Sequence, residues 1–235
     1  MYNGGNPTLT NVTFANNKAR SGGGMYNGDG VQVLTNVTFI GNVATENGGG
    51  MLNSYLSNPI LTNVTFGGNS AEFFGGGMYN DASNPIITNT ILWGNTAGGN
   101  DSQIFNNAST SALSYSDVQG GCTAIPGNDC SGGGNIEADP LFIRNPHPGP
   151  DGAWGTADDD NGDLRLKSES PAIDSGDNTA PGLAGINIDL DGNPRFYDVP
   201  EIVDAGVGPP PVVDMGAYEA VNIGPLEVYL PVIVR

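Results

Sequence analysis

Positive charge is scarce in this chain. Seven Lys and Arg stand against 25 Asp and Glu in 235 residues, a formal net charge of −18. Such a surface cannot neutralise a phosphate backbone, so a nucleic-acid role is set aside. Charged residues of either sign reach only 14%, against a usual ~25%, which excludes a coiled coil or long helical bundle. No apolar run approaches the roughly 20 residues of a helical membrane span. The chain has one histidine, His147, and two cysteines, too few for a zinc site or a credible Ser-His-Asp arrangement.

Glycine is abundant instead, at 37 residues, but it does not recur at every third position, so the chain is not collagen. An apolar fraction of 37%, with regularly placed Phe, Leu and Val, is enough to build a core and argues against disorder. The acids are unevenly spread: residues 1–136 hold seven acids and two bases, residues 137–235 eighteen acids and five bases. This asymmetry divides the chain into two parts. The acidic half either takes up cations or simply keeps the protein soluble. Cys122 and Cys130 sit in the glycine-rich stretch GGCTAIPGNDCSGG. A local disulfide, implying an oxidising compartment, is the simplest reading, and two buried free thiols are the alternative.

Self-similarity is the decisive signal. GGGMYN places its methionine at Met25 and Met78, GGGMLN at Met51; Met1-Tyr2-Asn3 and Ile104-Phe105-Asn106 are partial copies. A second phrase follows each: LTNVTF at 9–14, 34–39 and 61–66, ITNTIL at 87–92, LSYSDV at 113–118. Within LTNVTF, Leu9, Val12 and Phe14 point inward and Thr10 and Thr13 outward if Asn11 is a corner, a position suited to residues that tolerate left-handed backbone. A unit of about 26 residues cannot bury its own apolar face, but stacked units can. Strands in register from coil to coil place Leu9, Leu34, Leu61, Ile87 and Leu113 in one internal column, and Phe14, Phe39, Phe66, Leu92 and Val118 in another. Asn17, Asn42, Asn69 and Asn95 recur at a corner and can pass amide hydrogen bonds along their own column.

The expected fold is therefore all-β, a right-handed parallel β-helix of about 26-residue coils, its hand set by the usual crossover preference. Four regions are expected: repeats over 1–118, a disulfide-closed glycine-rich loop over 119–136, an acidic segment over 137–220 that continues and caps the stack, and a tail over 221–235. Met1 falls at an internal repeat position, so the chain is expected to begin in mid-repeat, with a signal peptide and earlier coils upstream. A first coil without a predecessor exposes a strand edge and invites self-association.

GGGMYN followed by LTNVTFANNKA resembles the repeats of chlamydial polymorphic outer-membrane proteins, marked by a Gly-Gly-apolar phrase and Phe-x-x-Asn, as in Phe14-Ala15-Asn16-Asn17. The ordered phrases ADPLF at 138–142, GDLRL at 162–166, SPAIDSGD at 170–177, DLDGNPR at 189–195 and VDMGAYE at 213–219 are similar to the C-terminal region of choice-of-anchor Q domain proteins of bacterial surfaces. That resemblance implies a secreted or cell-surface right-handed β-helix with no generally assigned reaction. The end of the chain, VYLPVIVR, resembles a sorting tail of such proteins or is a final edge strand.

Two acidic stretches are candidate Ca²⁺ sites, since hard carboxylate oxygens on glycine-rich loops suit that cation. Asp151, Asp158, Asp159, Asp160 and Asp163 form the first; Asn187, Asp189 and Asp191 form the second. Solvated acidic turns are the alternative. For catalysis, a β-helix lyase needs an Arg or Lys base and a glycosidase a pair of carboxylates. The outward columns, Thr10, Thr35, Thr62, Thr88, Ser114 and Thr13, Thr38, Thr65, Ile91, Asp117, repeat neither. Asp117 reads as a lone solvated acid. An ice-binding Thr array is disfavoured because the Asn11 corner turns Thr10 and Thr13 to different directions. Asn11, Asn36 and Asn63 also head Asn-x-Thr acceptor patterns, and Asn100 and Asn107 lie in others. Trp93 and Trp154 read as packing residues before sugar platforms. The sequence thus favours a non-catalytic stalk or adhesin-like protein of the cell surface, whose partners are surface glycans or other surface proteins. The alternative is a polysaccharide-active enzyme or a carbohydrate binder.

Overall fold

The computed structural model describes residues 1–99, 101–200 and 202–221. Residues 1–118 wind into a parallel β-solenoid of three sheets. The first sheet stacks Tyr2–Asn3, Met25–Asn27, Met51–Asn53, Met78–Asp81 and Ile104–Asn107. The second stacks Thr8–Ala15, Val33–Ile40 and Ile60–Gly67; in the next two coils it divides into Ile86–Thr88 with Ile91–Trp93, then Ser111–Ser114 with Asp117–Val118. The third stacks Lys18–Ala19, Val43–Ala44, Ser70–Ala71 and Thr96–Ala97.

Register follows the repeat. Leu9 pairs with Leu34, Leu34 with Leu61, Leu61 with Ile87 and Ile87 with Leu113. Phe14, Phe39 and Phe66 stack nearly coplanar, with ring centroids 4.9 and 4.7 Å apart. Leu34, Val37, Phe39 and the methionines Met25, Met51 and Met78 are fully buried in one continuous core. The corner asparagines adopt the left-handed conformation their position requires: φ is 56° at Asn11, 53° at Asn36, 54° at Asn63 and 52° at Asn89. The glycine triplets have a different cause. A Cβ at Gly50 would meet the Gly77 carbonyl at 2.6 Å and the Phe66 ring at 2.8 Å, so neighbouring coils leave no room for a side chain.

Two amide ladders run through the interior. The side chain of Asn17 donates to Oδ1 of Asn42, Asn42 to Asn69 and Asn69 to Asn95, at 2.9, 2.9 and 2.8 Å. The same oxygens accept the backbone N–H of the preceding asparagine. Their Nδ2 groups also reach the carbonyls of Phe14, Phe39 and Phe66. A second ladder links Asn27, Asn53, Asn80 and Asn106 at 2.8, 2.8 and 2.9 Å. Buried amides satisfied on both sides turn a polar corner into a fixed spacing between coils.

The far end of the columns is closed by residues 119–136. Cys122 and Cys130 are joined by a disulfide, and Cys122 and Ile125 pack into the solenoid core. Asn128–Asp129 pairs with Ser111–Ala112, and Asn128 accepts the last amide bond of the second ladder from Asn106, at 2.9 Å.

The acidic segment takes a different course from the expected continuation of the stack. It includes a short antiparallel pair, Phe142–Arg144 with Asp163–Leu166, and otherwise consists of turns and bends. It lies along the flank of the second sheet rather than on its end. Phe142, Leu164, Leu166, Ile173, Val199 and Met215 pack on the outward-facing Ile40 and Ile91. Of the tail, residues 222–235 lie outside the described residues.

The internal ladder predicts a position-dependent penalty. Asn69→Ala should cost at least about 3 kcal/mol in urea unfolding, because it strands Asn42 donors, the Phe39 carbonyl and Asn95 Oδ1. Asn17→Ala, on an exposed residue of the same column, should cost no more than about 1 kcal/mol.

Candidate functional site

From the second coil on, the outward Thr and Asn columns form the bed on which the acidic segment lies, while Thr10, Asn11 and Thr13 of the first coil are exposed. Thr35, Thr38, Thr62, Thr65, Asn36, Asn63 and Asn89 are all buried. Asn36 donates to the Ile188 carbonyl at 2.7 Å, and Asn63 to the Asp214 carbonyl at 2.9 Å. Asn89 both donates to the Asp177 carbonyl and accepts the Asp177 N–H. Thr65 accepts the Ala217 N–H at 3.0 Å, and Thr62 donates to the Pro181 carbonyl. The corner asparagines thus offer side-chain amides to carbonyls of a segment built mostly of turns and bends. Their burial also removes Asn36 and Asn63 as glycan acceptors and any Thr array as an ice-binding face.

Along this flank the ordered phrases of the C-terminal half converge. Arg195, of DLDGNPR, is fully buried, with Nε 3.3 Å from Glu219 Oε2 and Nη2 donating to the Asp214 and Gly216 carbonyls at 2.7 and 3.0 Å. Asp214, of VDMGAYE, accepts the N–H groups of Asp174 and Ala220 at 2.8 and 2.6 Å. Asp189 accepts those of Asp191, Asn193 and Glu219. Burial pushes the Asp214 carboxyl up to about 7, against the amides that favour its anion, and drives Glu219 well above the usual carboxylate range. The buried guanidinium thus pairs with Glu219 alone among the acids, its Nη1 has no hydrogen-bond partner, and the carbonyls that it binds also receive Asn63. The node ties three phrases to each other and to the solenoid corner.

Asp117 is buried, not solvated. It faces the start of the acidic segment, where Oδ1 accepts the Ala138 N–H at 3.2 Å and Oδ2 has no hydrogen-bond partner. Desolvation pushes its carboxyl up to about 7, with the neighbouring charges of Asp139 and Glu137 adding to the rise.

The expected cation residues are distributed rather than gathered. Asp160 pairs with Arg144 at 2.8 Å and Asp163 with Arg165; the hydrogen bonds from these arginines hold both carboxyls below the usual range. Asp159 accepts the Gly155 and Thr156 N–H groups, Asp158 the Thr156 hydroxyl, and Asp151 the Ala153 N–H. In the second stretch Asp189 is enclosed by backbone amides while Asn187 and Asp191 are exposed. Among the described residues, the grouping of three acids whose oxygens lie within 4.8 Å of one another is Asp174, Asp198 and Asp204, which sequence reasoning did not single out. The two tryptophans pack: Trp93 joins the flank cluster, and the Trp154 ring lies over Gly41 and Gly68.

The available signals for this site were faint. Ile91, following Thr13, Thr38 and Thr65 in its column, and Ile40 just past Phe39 marked an outward apolar face that needed a cover. Among the described residues no helix is long and apolar enough to cross a membrane. Together the three sheets, the ladders and the flank segment define a parallel β-solenoid with a laterally packed acidic cover. No family model, curated protein or solved structure matches the chain.

Two variants probe this flank. Arg195→Ala should cost about 3–5 kcal/mol in denaturant unfolding, since it leaves buried carboxylates without their cation. Asp117 gives a pH signature. Its folded pKa is raised, so the folded state holds its proton where the unfolded chain has lost it; stability falls as pH rises from about 4 to about 7 and then levels. The melting-temperature gain of Asp117→Asn over the parent should therefore be small near pH 4.5 and largest above about pH 7.5.

Proposed function

We propose that this protein is a non-catalytic scaffold of the cell exterior, a stiff stalk or adhesin-like module. The observation that carries this reading is where the chemistry lies. Of the carboxyls raised above their usual range, Asp117, Asp174, Asp214 and Glu219 are buried, and among the described residues only Asp191 is exposed. A general acid must reach the bond that it protonates. The disulfide suits an oxidising compartment, and the phrases that resemble choice-of-anchor Q and polymorphic outer-membrane repeats support a surface location and a right-handed winding. Its partners would be surface glycans or other surface proteins. Ca²⁺ is the cofactor class that this acidic, oxygen-rich surface would take.

A second reading has one observation in its favour. A depression of about 490 Å³ is lined by Arg165, Asp191 and Asn193 beside Ile143 and Leu166. Such a mix of polar groups and apolar floor suits a glycan. Both readings meet in one experiment. Incubation with a panel of neutral and acidic polysaccharides, assayed for reducing ends and unsaturated products, should give no turnover. Turnover by the parent that is lost in Arg165→Ala would replace the scaffold assignment with an enzymatic one.

A further inference from the structure

Three carboxylates in the flank segment are fully buried: Asp174, Asp189 and Asp214. Two of them are accounted for by the chain itself, because backbone N–H groups fill the oxygens of Asp189 and Asp214. Asp174 differs. Neither of its side-chain oxygens has a hydrogen-bond partner, and none of the ion pairs among the described residues reaches it. Its neighbours are two more acids: the oxygens of Asp198 and Asp204 lie within 4.8 Å of its own and of each other, and both residues are exposed. A buried carboxylate whose anion is favoured only by the Val199 N–H, outside normal hydrogen-bond geometry, and which faces two like charges is a disfavoured arrangement unless something positive sits between them.

We propose that Asp174, Asp198 and Asp204 form a calcium site that fastens Asp198 and Asp204 to the segment covering the solenoid flank. The backbone already returns the chain after Asp204 to Asp174 without the ion. The Asp174 carbonyl accepts the N–H groups of Ala205 and Gly206 at 2.8 and 3.0 Å, which brings Asp204 back against Asp174. Asp174 itself is left-handed, with φ of 50°, which sets the direction of its side chain. All-oxygen, carboxylate-only donors select a hard cation over zinc or copper. Oxygens up to 4.8 Å apart match opposite ligands of an ion that takes them at about 2.4 Å, and the exposed pair leaves room for the waters that complete six to eight ligands. Magnesium demands shorter bonds and near-octahedral geometry. Burial and the charges of Asp204 and Asp198 push the Asp174 carboxyl up to about 6; a cation reverses that rise. This site is separate from the acidic loop at 151–163 and independent of the scaffold reading.

The test uses the full 235-residue chain, stripped with chelator, and titrates Ca²⁺ by calorimetry with thermal melts alongside. One ion per chain is expected, with a dissociation constant of roughly 10⁻⁴–10⁻³ M and Mg²⁺ weaker by at least about tenfold. Saturating Ca²⁺ should raise the melting temperature by several degrees. Asp204→Asn, on an exposed residue that does not threaten folding, and Asp174→Asn should each weaken binding at least about tenfold, while Asp158→Asn leaves it unchanged. Absence of binding up to about 10 mM Ca²⁺ overturns the proposal, as does binding that survives Asp204→Asn but disappears in Asp158→Asn.

Discussion

Stacking of like on like is the constraint from which the rest follows. Each coil of the solenoid pairs its backbone with the coils above and below, so neighbouring coils must rise by one strand spacing, about 4.8 Å. Every residue in the repeat then meets its own counterpart. Phenylalanine rings lie face to face at 4.7–4.9 Å, and asparagine amides hand hydrogen bonds from coil to coil. Glycines at the third corner stay bare because adjacent backbones touch there. An asparagine in such a column costs little when its neighbour is also an asparagine and much when it is not, so substitution is felt one coil away on each side.

The ends and the sides of such a stack need different solutions. An open end exposes apolar columns, and the disulfide-closed loop over 119–136 meets that need by inserting Cys122 and Ile125 beneath the last coil. The side presents a row of corner asparagines whose amides point away from the core. There the acidic segment supplies carbonyls, and apolar residues on Ile40 and Ile91 supply the burial. Few regular strands hold this cover. It is held by a buried Arg195, by carboxylates bonded to backbone amides, and by the asparagine corners. Apolar packing and buried polar contacts thus share the work of holding that half of the molecule.

Burial also redistributes what the carboxylates can do. Acids that read as solvated or as catalytic candidates in a linear chain, Asp117 above all, are enclosed and raised towards neutrality. Those on the 151–163 loop that read as cation ligands are largely occupied by Arg144, Arg165 and local amides. A depression lined by Arg165, Asp191 and Asn193 lies beside them on the same flank.

The repeat by itself determined the winding, the in-register columns of Leu, Phe and Asn, and the left-handed corner at Asn11 and its copies, while the close spacing of Cys122 and Cys130 favoured their disulfide over two free thiols. These features are local or periodic: the same short phrase recurs at fixed spacing, and each copy sees only its neighbours. The position of the acidic segment was decided only in three dimensions. Asn63 meets Asp214, and Asn36 meets Ile188, across more than 150 residues of sequence. No spacing rule links a turn-rich segment to the flank of a solenoid. The outward Thr columns therefore looked like surface until the segment lay on them, and Asp174 looked like one acid among many until folding placed it beside Asp198 and Asp204. Periodicity specifies which residues repeat an environment; tertiary packing alone specifies which of those environments is covered.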